Sequence, residues 1–282
     1  MDQLEQRSKA RRFLELHSAP AILRLPNAWD VISAKIFELE GYEAIGTTSA
    51  GVAATLGYAD GQRMSLEEST RVTKRIAGRI DLPVSADIES GYANDVEGVV
   101  LAARVTLETG AVGINLEDST SCDAHGELIA KNAMTERVAA IRAMADESGI
   151  PLVINARTDV FLTSDTNTTR LLGETIERAG AYRAAGADCI FVPDMGNLDE
   201  PTIIELVGEI DAPLNVIVDT HLPSIPRLEE IGVARVSMGP RPMRAALARL
   251  RTIARELMRQ GTCEAMTEEA MTYAEVNAMF EE

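Results

Sequence analysis

The sequence predicts an α/β protein, a (β/α)8 barrel, because short apolar runs alternate with helical patterns along almost the whole chain. Gly-Ala pairs precede two of these runs, and a glycine there supplies the left-handed stop that a helix-to-strand connection needs. The same alternation would suit a doubly wound open sheet, but the first run lacks the glycine-rich dinucleotide turn of that fold. Strand number and this absence favour the barrel.

The predicted strands are short apolar segments that end before a turn or loop. They cover residues 21–25, 44–47, 82–87, 112–116, 151–155, 188–192, 213–217 and 233–237. Helical periodicity predicts helices at about 29–40, 65–79, 96–108, 135–147, 169–184 and 198–207, and a helix start at Pro240. We also expect an N-terminal helix with His17 at its surface, and an additional amphipathic helix over residues 267–280.

Composition and charge favour one cytoplasmic domain. We expect a single domain over residues 1–282 with a C-terminal helical extension at about 262–282, because no linker or low-complexity tract interrupts the chain. A net charge of −17 argues against nucleic acid and anionic membranes as partners. The three cysteines are scattered, the first twenty residues hold no apolar leader, and no segment is long enough to span a bilayer. These features predict a cytoplasmic protein.

Carboxylates follow two predicted strands at the point where each strand ends. Asp87 and Glu89 follow the apolar run of 82–87, and Glu117 follows the run of 112–116. Alternation along a strand projects Asp87 and Glu89 to one face, and a parallel neighbour places Glu117 at the same rim. Three converging carboxylates repel one another unless a cation lies among them, and such hard oxygen ligands favour Mg²⁺ or Mn²⁺. The alternative is that each acid caps a following helix.

Other rim positions carry groups that suit an anionic substrate. After the second predicted strand, the backbone N–H groups of Ser49, Ala50 and Gly51 could hold a carboxylate or a phosphate. The fifth predicted strand ends at Asn155 and Arg157, and a guanidinium is suited to bind a substrate carboxylate through two hydrogen bonds. All five residues are therefore candidates for substrate binding.

As an ordered set, these motifs resemble the isocitrate lyase/phosphoenolpyruvate mutase superfamily over roughly residues 10 to 260. The motifs that carry the resemblance are Ser49-Ala50-Gly51, Asp60, Asp87-x-Glu89-x-Gly91-Tyr92, Glu117-Asp118 and Ala156-Arg157-Thr158-Asp159. The segment at 25–30 is similar to the first-strand turn of the family, and the segment at 232–237 to its eighth strand. The set is specific for the superfamily and much less specific for a reaction.

The resemblance implies a site and an assembly. Mg²⁺ would be bound directly by Asp87, with Glu89 and Glu117 holding its water molecules. Arg157 and the turn after the second strand would grip the carboxylate of a 2-oxo acid, with Asp60 close to the substrate as a catalytic candidate. Family members share an enolate or oxyanion intermediate, which a Lewis-acid metal stabilises. The eighth helix is commonly exchanged between subunits, so we expect a homo-oligomer, a tetramer or a dimer.

The loop after the fourth predicted strand departs from the family pattern. Family lyases carry a Lys/Arg-x-Cys-Gly-His segment there, whereas this chain has Cys122 and His125 in a shorter loop without the basic residue. The mutase pattern, Glu-Asp-Lys with an Asn-Ser pair, is absent because Ser119 follows Asp118. Cys122 and His125 are candidates for a catalytic proton-transfer pair on a closing loop, or are exposed loop residues. Glu89 stands where many members have Asp.

We therefore expect an Mg²⁺-dependent lyase or decarboxylase that acts on a small 2-oxo or 2-hydroxy (di)carboxylate through a metal-stabilised enolate. Oxaloacetate-like and methylisocitrate-like molecules are both candidate substrates. One alternative is P–C bond chemistry of the phosphoenolpyruvate mutase or phosphonopyruvate hydrolase type. Another is a 2-oxo acid-binding protein without catalysis. His221, after the seventh predicted strand, is a candidate for the mouth of the barrel.

Overall fold

Parallel strands of the chain form one sheet that curls into a nearly closed barrel. The computed structural model describes residues 2–120, 127–163, 167–194 and 196–281. In this part of the chain, the sheet has nine strands in the order β1-β9-β8-β7-β6-β5-β4-β3-β2. The strands are β1 (Leu23–Leu25), β2 (Asn27–Ala28), β3 (Ile45–Thr47), β4 (Val84–Asp87), β5 (Gly113–Glu117), β6 (Val153–Arg157), β7 (Cys189–Val192), β8 (Leu214–Ile217) and β9 (Arg235–Ser237).

The first predicted strand and the residues that directly follow it supply both edges of the sheet. β1 pairs with β9 and β2 pairs with β3, and only Pro26 separates β1 from β2. Proline has no N–H to donate to a ladder, so the chain changes its neighbour at this residue. β1 and β2 together therefore occupy one strand position of the barrel. The described sheet matches the (β/α)8 barrel that the sequence predicts.

Twelve helices in the described residues connect or follow the strands. They are α1 (Gln3–Leu16), α2 (Val31–Leu39), α3 (Ser49–Leu56), α4 (Leu66–Ala77), α5 (Val96–Leu107), α6 (Lys131–Ser148), α7 (Thr168–Ala184), α8 (Glu200–Glu209), α9 (Ile225–Ile231), α10 (Arg241–Gln260), α11 (Glu264–Thr267) and α12 (Tyr273–Ala278). Side chains with short polar groups begin many of them. Asp30 and Ser65, for example, form reciprocal capping boxes at the starts of α2 and α4.

Two segments differ from the sequence prediction. Ser49, expected in a turn, is the first residue of α3, because the Thr48 side chain accepts from the Gly51 N–H and caps a helix there. The single helix predicted over 267–280 is wrong. The chain instead forms α11 and α12, and Thr272 caps the second of these with its own capping box, so that a new helix begins.

Strand alternation divides the buried residues into two sets. Apolar side chains such as Ile114 and Leu116 join the core between the strands and the surrounding helices. Several residues at alternate strand positions are polar and buried. They are Ser85, Asn115, Asn155, Asn215 and Arg235. These polar residues lie on the same strands whose carboxyl ends carry the acidic residues.

His17 is buried, and the expectation that it lies at the surface is wrong. It is 4 % exposed, and its Nδ1 lies 2.8 Å from the carbonyl oxygen of Phe13, one turn earlier. Its Nε2 lies 3.5 Å from Nη1 of Arg235 in β9. Burial, followed by the charge of Arg235, lowers the pKa of His17 to about 3. The ring is therefore neutral at pH 7, with Nδ1–H donating to Phe13 and Nε2 facing the guanidinium.

The chain divides into two compact units, Met1–Gly239 and Pro240–Glu282. The first holds all the strands described above, and the second holds α10, α11 and α12. A single domain over residues 1–282 and an exchange of the eighth helix between subunits both stay predictions. Among the described residues, no helix has both the length and the apolar character needed to cross a membrane.

Candidate active site

Asp87 ends β4 at the carboxyl rim of the barrel, and neighbouring elements hold both of its carboxylate oxygens. The Ser49 backbone N–H, at the start of α3, donates to Oδ2 at 2.9 Å, and the Asn115 amide in β5 donates to Oδ1 at 3.0 Å. The Asp87 backbone N–H donates to the hydroxyl of Thr47 at the end of β3 (2.9 Å). Three adjacent strands and a helix N-terminus therefore fix this carboxylate.

Glu89 reaches the same rim through a turn rather than through the strand. β4 ends at Asp87, and Glu89 has a left-handed backbone conformation with φ of 51°. Its Oε2 accepts from the Gln62 backbone N–H (2.6 Å), and its Oε1 accepts from the Tyr92 hydroxyl (3.3 Å). Gln62 and Tyr92 also have positive φ, of 56° and 57°. Non-glycine residues in this sparsely populated region store strain, which is typical of functional sites.

Glu117 ends β5 opposite Arg157 in β6, and the two side chains form an ion pair. Arg157 Nη1 lies 2.9 Å from Glu117 Oε2, and Glu117 is 1 % exposed. Arg157 also pairs with Asp159 through Nε and Nη2, at 2.5 and 3.1 Å, and its guanidinium lies 5.9 Å from the ring centre of Phe191. The predicted partner of a substrate carboxylate is thus held between two acids of the protein and an aromatic ring.

Burial and the charges of neighbouring acids raise the pKa values of Glu89, Glu117 and Asp60 at this rim. Burial, followed by the charges of Asp87 and Asp60, raises the pKa of Glu89 to about 7. Burial raises the pKa of Glu117 well above its ordinary value, an effect that other rim acids increase and that Arg157 opposes. Asp60 lies in an exposed turn, yet partial desolvation and then Asp87 raise its pKa too. Repulsion among these acids thus adds to the cost of burying them in their charged form.

Asp118 points to the opposite side of β5 and has a structural environment. It is fully buried, and its Oδ2 accepts from the Tyr182 hydroxyl (2.7 Å) and from Arg178 Nη1 (3.1 Å), both in α7. Its Oδ1 accepts from the backbone N–H of Asp159 at 2.9 Å. Asp118 therefore ties α7 to the residue that holds Arg157, and the second acid of the Glu-Asp pair supports the rim rather than joining it.

Asn155 lies below the rim, in the polar interior of the barrel. It is fully buried, and its amide donates to Asn115 Oδ1 at 2.8 Å, while Asn115 donates to Asp87. The structure thus places Asn155 behind Asp87, with Asn115 between them. The sequence motifs include Tyr92 without assigning it a contact, and they do not include Asn115 or Gln62. Strand alternation could have indicated Asn115, because it is the register partner of Asp87.

The site brings together most of the residues that the sequence predicts for it. Ser49 contacts Asp87 through its backbone and interacts with Asp60 through its side chain. Ala50 and Gly51 lie in the first turn of α3, whose N-terminus faces this carboxylate. Cys122 and His125 lie outside the described residues.

The chemistry of the donor set fits a hard divalent cation. Within residues 2–120, 127–163, 167–194 and 196–281, no three His, Cys, Asp or Glu side chains are grouped so that they could hold a metal ion together. An arrangement with Asp87 as the direct carboxylate ligand, and with Glu89 and Glu117 acting through water, does not need such a group. The raised pKa values of Glu89 and Glu117 show that the cluster would be stabilised by added positive charge.

Comparison with known proteins identifies the family. Residues 13–258 match the family model of phosphoenolpyruvate phosphomutase. The chain is 29% identical over 284 residues to a 2-methylisocitrate lyase of Halalkalibacterium halodurans, covering 96% of this chain and 89% of that protein. The chain therefore belongs to the isocitrate lyase/phosphoenolpyruvate mutase superfamily, as the motifs indicate, and its named relatives include lyases and mutases.

Solved structures agree with this assignment. A candidate lyase/mutase of Burkholderia cenocepacia J2315 is 32% identical, with a TM-score of 0.89 over 99% of this chain and 98% of that one. A phosphonopyruvate hydrolase crystallised with oxalate and Mg²⁺ shares the fold, with a TM-score of 0.82 at 22% identity over 96% of this chain and 94% of that one. The barrel fold is thus shared with these solved structures.

Proposed function

We propose that this protein is an Mg²⁺-dependent carbon–carbon lyase or decarboxylase that acts on a small 2-oxo or 2-hydroxy (di)carboxylate. The observation that carries the proposal is the rim cluster of Asp87, Glu89 and Glu117 beside Arg157, in which the pKa values of Glu89 and Glu117 are raised. Closely grouped buried acids favour a bound cation, and an oxygen donor set favours Mg²⁺. The same cation would attract an anionic substrate despite the net charge of −17.

Asp87 would hold Mg²⁺ directly, and Glu89 and Glu117 would hold its water molecules. When bound, Mg²⁺ supplies Lewis-acid stabilisation of the negative charge that develops on the substrate. The chain supplies the position of each carboxylate. The Ser49 N–H and the Asn115 amide fix Asp87, and the Gln62 N–H and the Tyr92 hydroxyl fix Glu89. Carboxylates fixed in advance need little rearrangement during the reaction.

Arg157 and the start of α3 would bind the substrate carboxylate. The N-terminus of α3 carries partial positive charge from its backbone N–H groups. The Arg157 guanidinium lies beside Glu117. A substrate carboxylate bound to this guanidinium would therefore also lie next to the proposed Mg²⁺ site. Asp60 interacts with Ser49 and Asp87 and would contact the bound substrate. Cys122 and His125 stay candidates for proton transfer.

A substrate panel tests the proposal. Oxaloacetate, 2-methylisocitrate, isocitrate, phosphonopyruvate and phosphoenolpyruvate are each incubated with the protein and Mg²⁺, with EDTA as the control, and followed by ¹H and ³¹P NMR. We expect Mg²⁺-dependent appearance of pyruvate, glyoxylate, succinate or another C–C cleavage product in at least one tube. Turnover that is equal with EDTA, or no turnover of any carboxylate, would contradict the proposal.

The family model favours a second candidate, P–C bond chemistry on a phosphonopyruvate-like substrate, because it is named for phosphoenolpyruvate phosphomutase. Loss of the substrate ³¹P signal and appearance of a signal at another chemical shift in the same panel would select this alternative. The loop at 119–120 counts against it, since Ser119 follows Asp118 where the mutase pattern has lysine. Mg²⁺-dependent binding of 2-oxo acids without turnover would instead select the third alternative, a binding protein.

We also propose a cytoplasmic homo-oligomer in which α10 contributes to the interface. α10 carries exposed apolar side chains, including Leu250, Leu257 and Met258, which are 61, 55 and 87 % exposed. Apolar surface of this kind on one helix is typical of an interaction face. The described cysteines, Cys189 and Cys263, are free thiols, as expected in a reducing compartment. Sedimentation of the purified protein would distinguish a tetramer or dimer from a monomer.

A further inference from the structure

A histidine–aspartate pair lies at the carboxyl rim of β7 and β8, away from the acids described above. His221 Nε2 lies 3.1 Å from Asp194 Oδ2 and 3.3 Å from Asp194 Oδ1. The side chain of Asp194 is fully buried, whereas that of His221 is 32 % exposed. A buried carboxylate therefore holds an imidazole that reaches solvent.

The backbone fixes the carboxylate of this pair. Asp194 Oδ2 accepts from the N–H groups of Gly196 and Leu198, at 2.8 and 2.9 Å. Because Asp194 can only accept, Nε2 of His221 carries the hydrogen in this contact. Nδ1 is then the nitrogen that can gain or lose a proton. Among the residues that the structure describes, Asp219 also lies near the ring, with its Oδ1 3.7 Å from Nδ1. An acid that orients an imidazole in one tautomer is the arrangement of many proton-transfer sites.

Strand order places His221 across the barrel mouth from Asp87. If β1 and β2 are counted as one strand position, three strand positions separate β4 from β8 in either direction around the described barrel. Asp87 ends β4, and His221 follows the end of β8 by four residues, so both lie at the carboxyl rim. A substrate that is held at Asp87 and Arg157 and crosses the barrel mouth would therefore have its other end on the side where His221 lies.

We propose that His221 transfers a proton to the distal part of the substrate, with Asp194 as its positioning residue. This inference rests on the proposed function. In C–C cleavage of a 2-hydroxy acid, the hydroxyl proton passes to solvent, the bond between the hydroxyl carbon and its neighbour breaks, and the neighbour keeps the electron pair. The imidazolium of His221 gives its Nδ1 proton to that carbon and becomes neutral, and the ring regains a proton from solvent. The hydroxyl carbon becomes the carbonyl of a 2-oxo acid.

The variant His221→Gln separates proton transfer from structural support. The glutamine amide can still donate a hydrogen bond to Asp194, but it cannot carry a proton. We expect kcat to fall by about 10²- to 10⁴-fold, with KM and the unfolding temperature little changed, and partial recovery of kcat with added imidazole. Thr220→Ala, in the same loop and outside the pair, is the matched control and should keep wild-type kcat. Wild-type and Asp87→Asn protein are assayed in parallel on the substrate that the panel identifies.

A second measurement reads the histidine directly. The sequence has only three histidines, so ¹⁵N-detected imidazole spectra are simple to assign with His221→Gln as the reference. We expect the Nε2–H tautomer for His221 in the wild type and its loss in Asp194→Asn. An Nδ1–H tautomer in the wild type would contradict the proposed orientation.

The outcomes distinguish this inference from the proposed function. If Asp87→Asn is inactive and His221→Gln keeps kcat within about threefold of the wild type, the proposed function stands and the role of His221 is refuted. A loss in His221→Gln that imidazole does not restore, accompanied by a lower unfolding temperature, would assign His221 a structural role and also refute the inference. If the wild type converts no substrate of the panel, the proposed function fails and this inference fails with it.

Discussion

The buried His17 predicts a specific loss of stability in acid. In the folded protein the pKa of His17 is lowered from 6.5 to about 3, through burial and then the charge of Arg235. Between these two values the unfolded chain binds a proton that the folded chain does not bind, so stability rises with pH and is lost as the pH falls from 6.5 toward 3. Each pH unit in this window contributes about 1.4 kcal/mol, with an upper limit of about 4 to 5 kcal/mol for the whole shift.

Comparison with His17→Gln isolates this contribution. Glutamine does not titrate, and its amide can donate to the Phe13 carbonyl while its oxygen accepts from Arg235, the two contacts that neutral His17 makes. The free energy of unfolding is measured by guanidinium denaturation from about pH 7 to about pH 4.5 for both proteins. Carboxylates titrate in both proteins, so their contributions cancel in the difference between the two free energies of unfolding.

We expect the wild type to lose about 2 to 3 kcal/mol more than His17→Gln between about pH 6.5 and pH 4.5. The loss should be smaller above this range, where the histidine of the unfolded chain is also neutral. A difference between the two proteins that stays constant within about 0.5 kcal/mol over the window would refute a neutral, buried His17 beside a charged Arg235.

Three further predictions concern the rim and its supports. Tyr182→Phe removes the 2.7 Å hydrogen bond to Asp118 and should cost about 1.5 to 3 kcal/mol in guanidinium denaturation; an unchanged midpoint would contradict the support role. Gly91→Ala should be more destabilising than Gly41→Ala, by about 1 to 3 kcal/mol, in the same assay. Both glycines have positive φ, but only at Gly91 would a Cβ approach a neighbouring side chain, at 2.7 Å. Equal losses would show that this contact relaxes freely. Mg²⁺ should bind more weakly at about pH 6 than at about pH 8 by calorimetry, because Glu89, with a pKa of about 7, must lose its proton. Affinity independent of pH would exclude Glu89 from the ion site.

The sequence predicts the barrel well because the fold depends on patterns that are local. Apolar runs and helical periodicity locate the strands and most helices, and several helices are capped by residues directly before them. The C-terminal segment shows the limit of this reasoning. Its apolar periodicity fits one helix, but the capping box at Thr272 starts a new helix. Periodicity alone does not show whether the segment forms one helix or two.

The candidate site is predicted only in part, because several of its contacts depend on the closure of the barrel. The approach of Asp87 to Asn115 follows from strand register, which the sequence does not specify. The contact of Glu89 with Gln62 joins two loops through left-handed residues that carry no glycine signal. His17 was misplaced because its partner Arg235 lies 218 residues away in the chain. The motif positions were accessible from the sequence, whereas the partners of their side chains were not.

The measurement that tests the central claim most directly is Mg²⁺-dependent turnover by Asp87→Asn beside the wild type. Asp81→Asn, a change at an exposed acid, serves as the matched control. With a substrate identified by the NMR panel, we expect wild-type and Asp81→Asn proteins to cleave it only when Mg²⁺ is present. Asp87→Asn should fold normally and lose about a thousandfold or more in kcat/KM, because the cation then loses its direct carboxylate ligand. Full turnover by Asp87→Asn, or wild-type turnover that EDTA does not stop, would contradict a metal-dependent site at this rim.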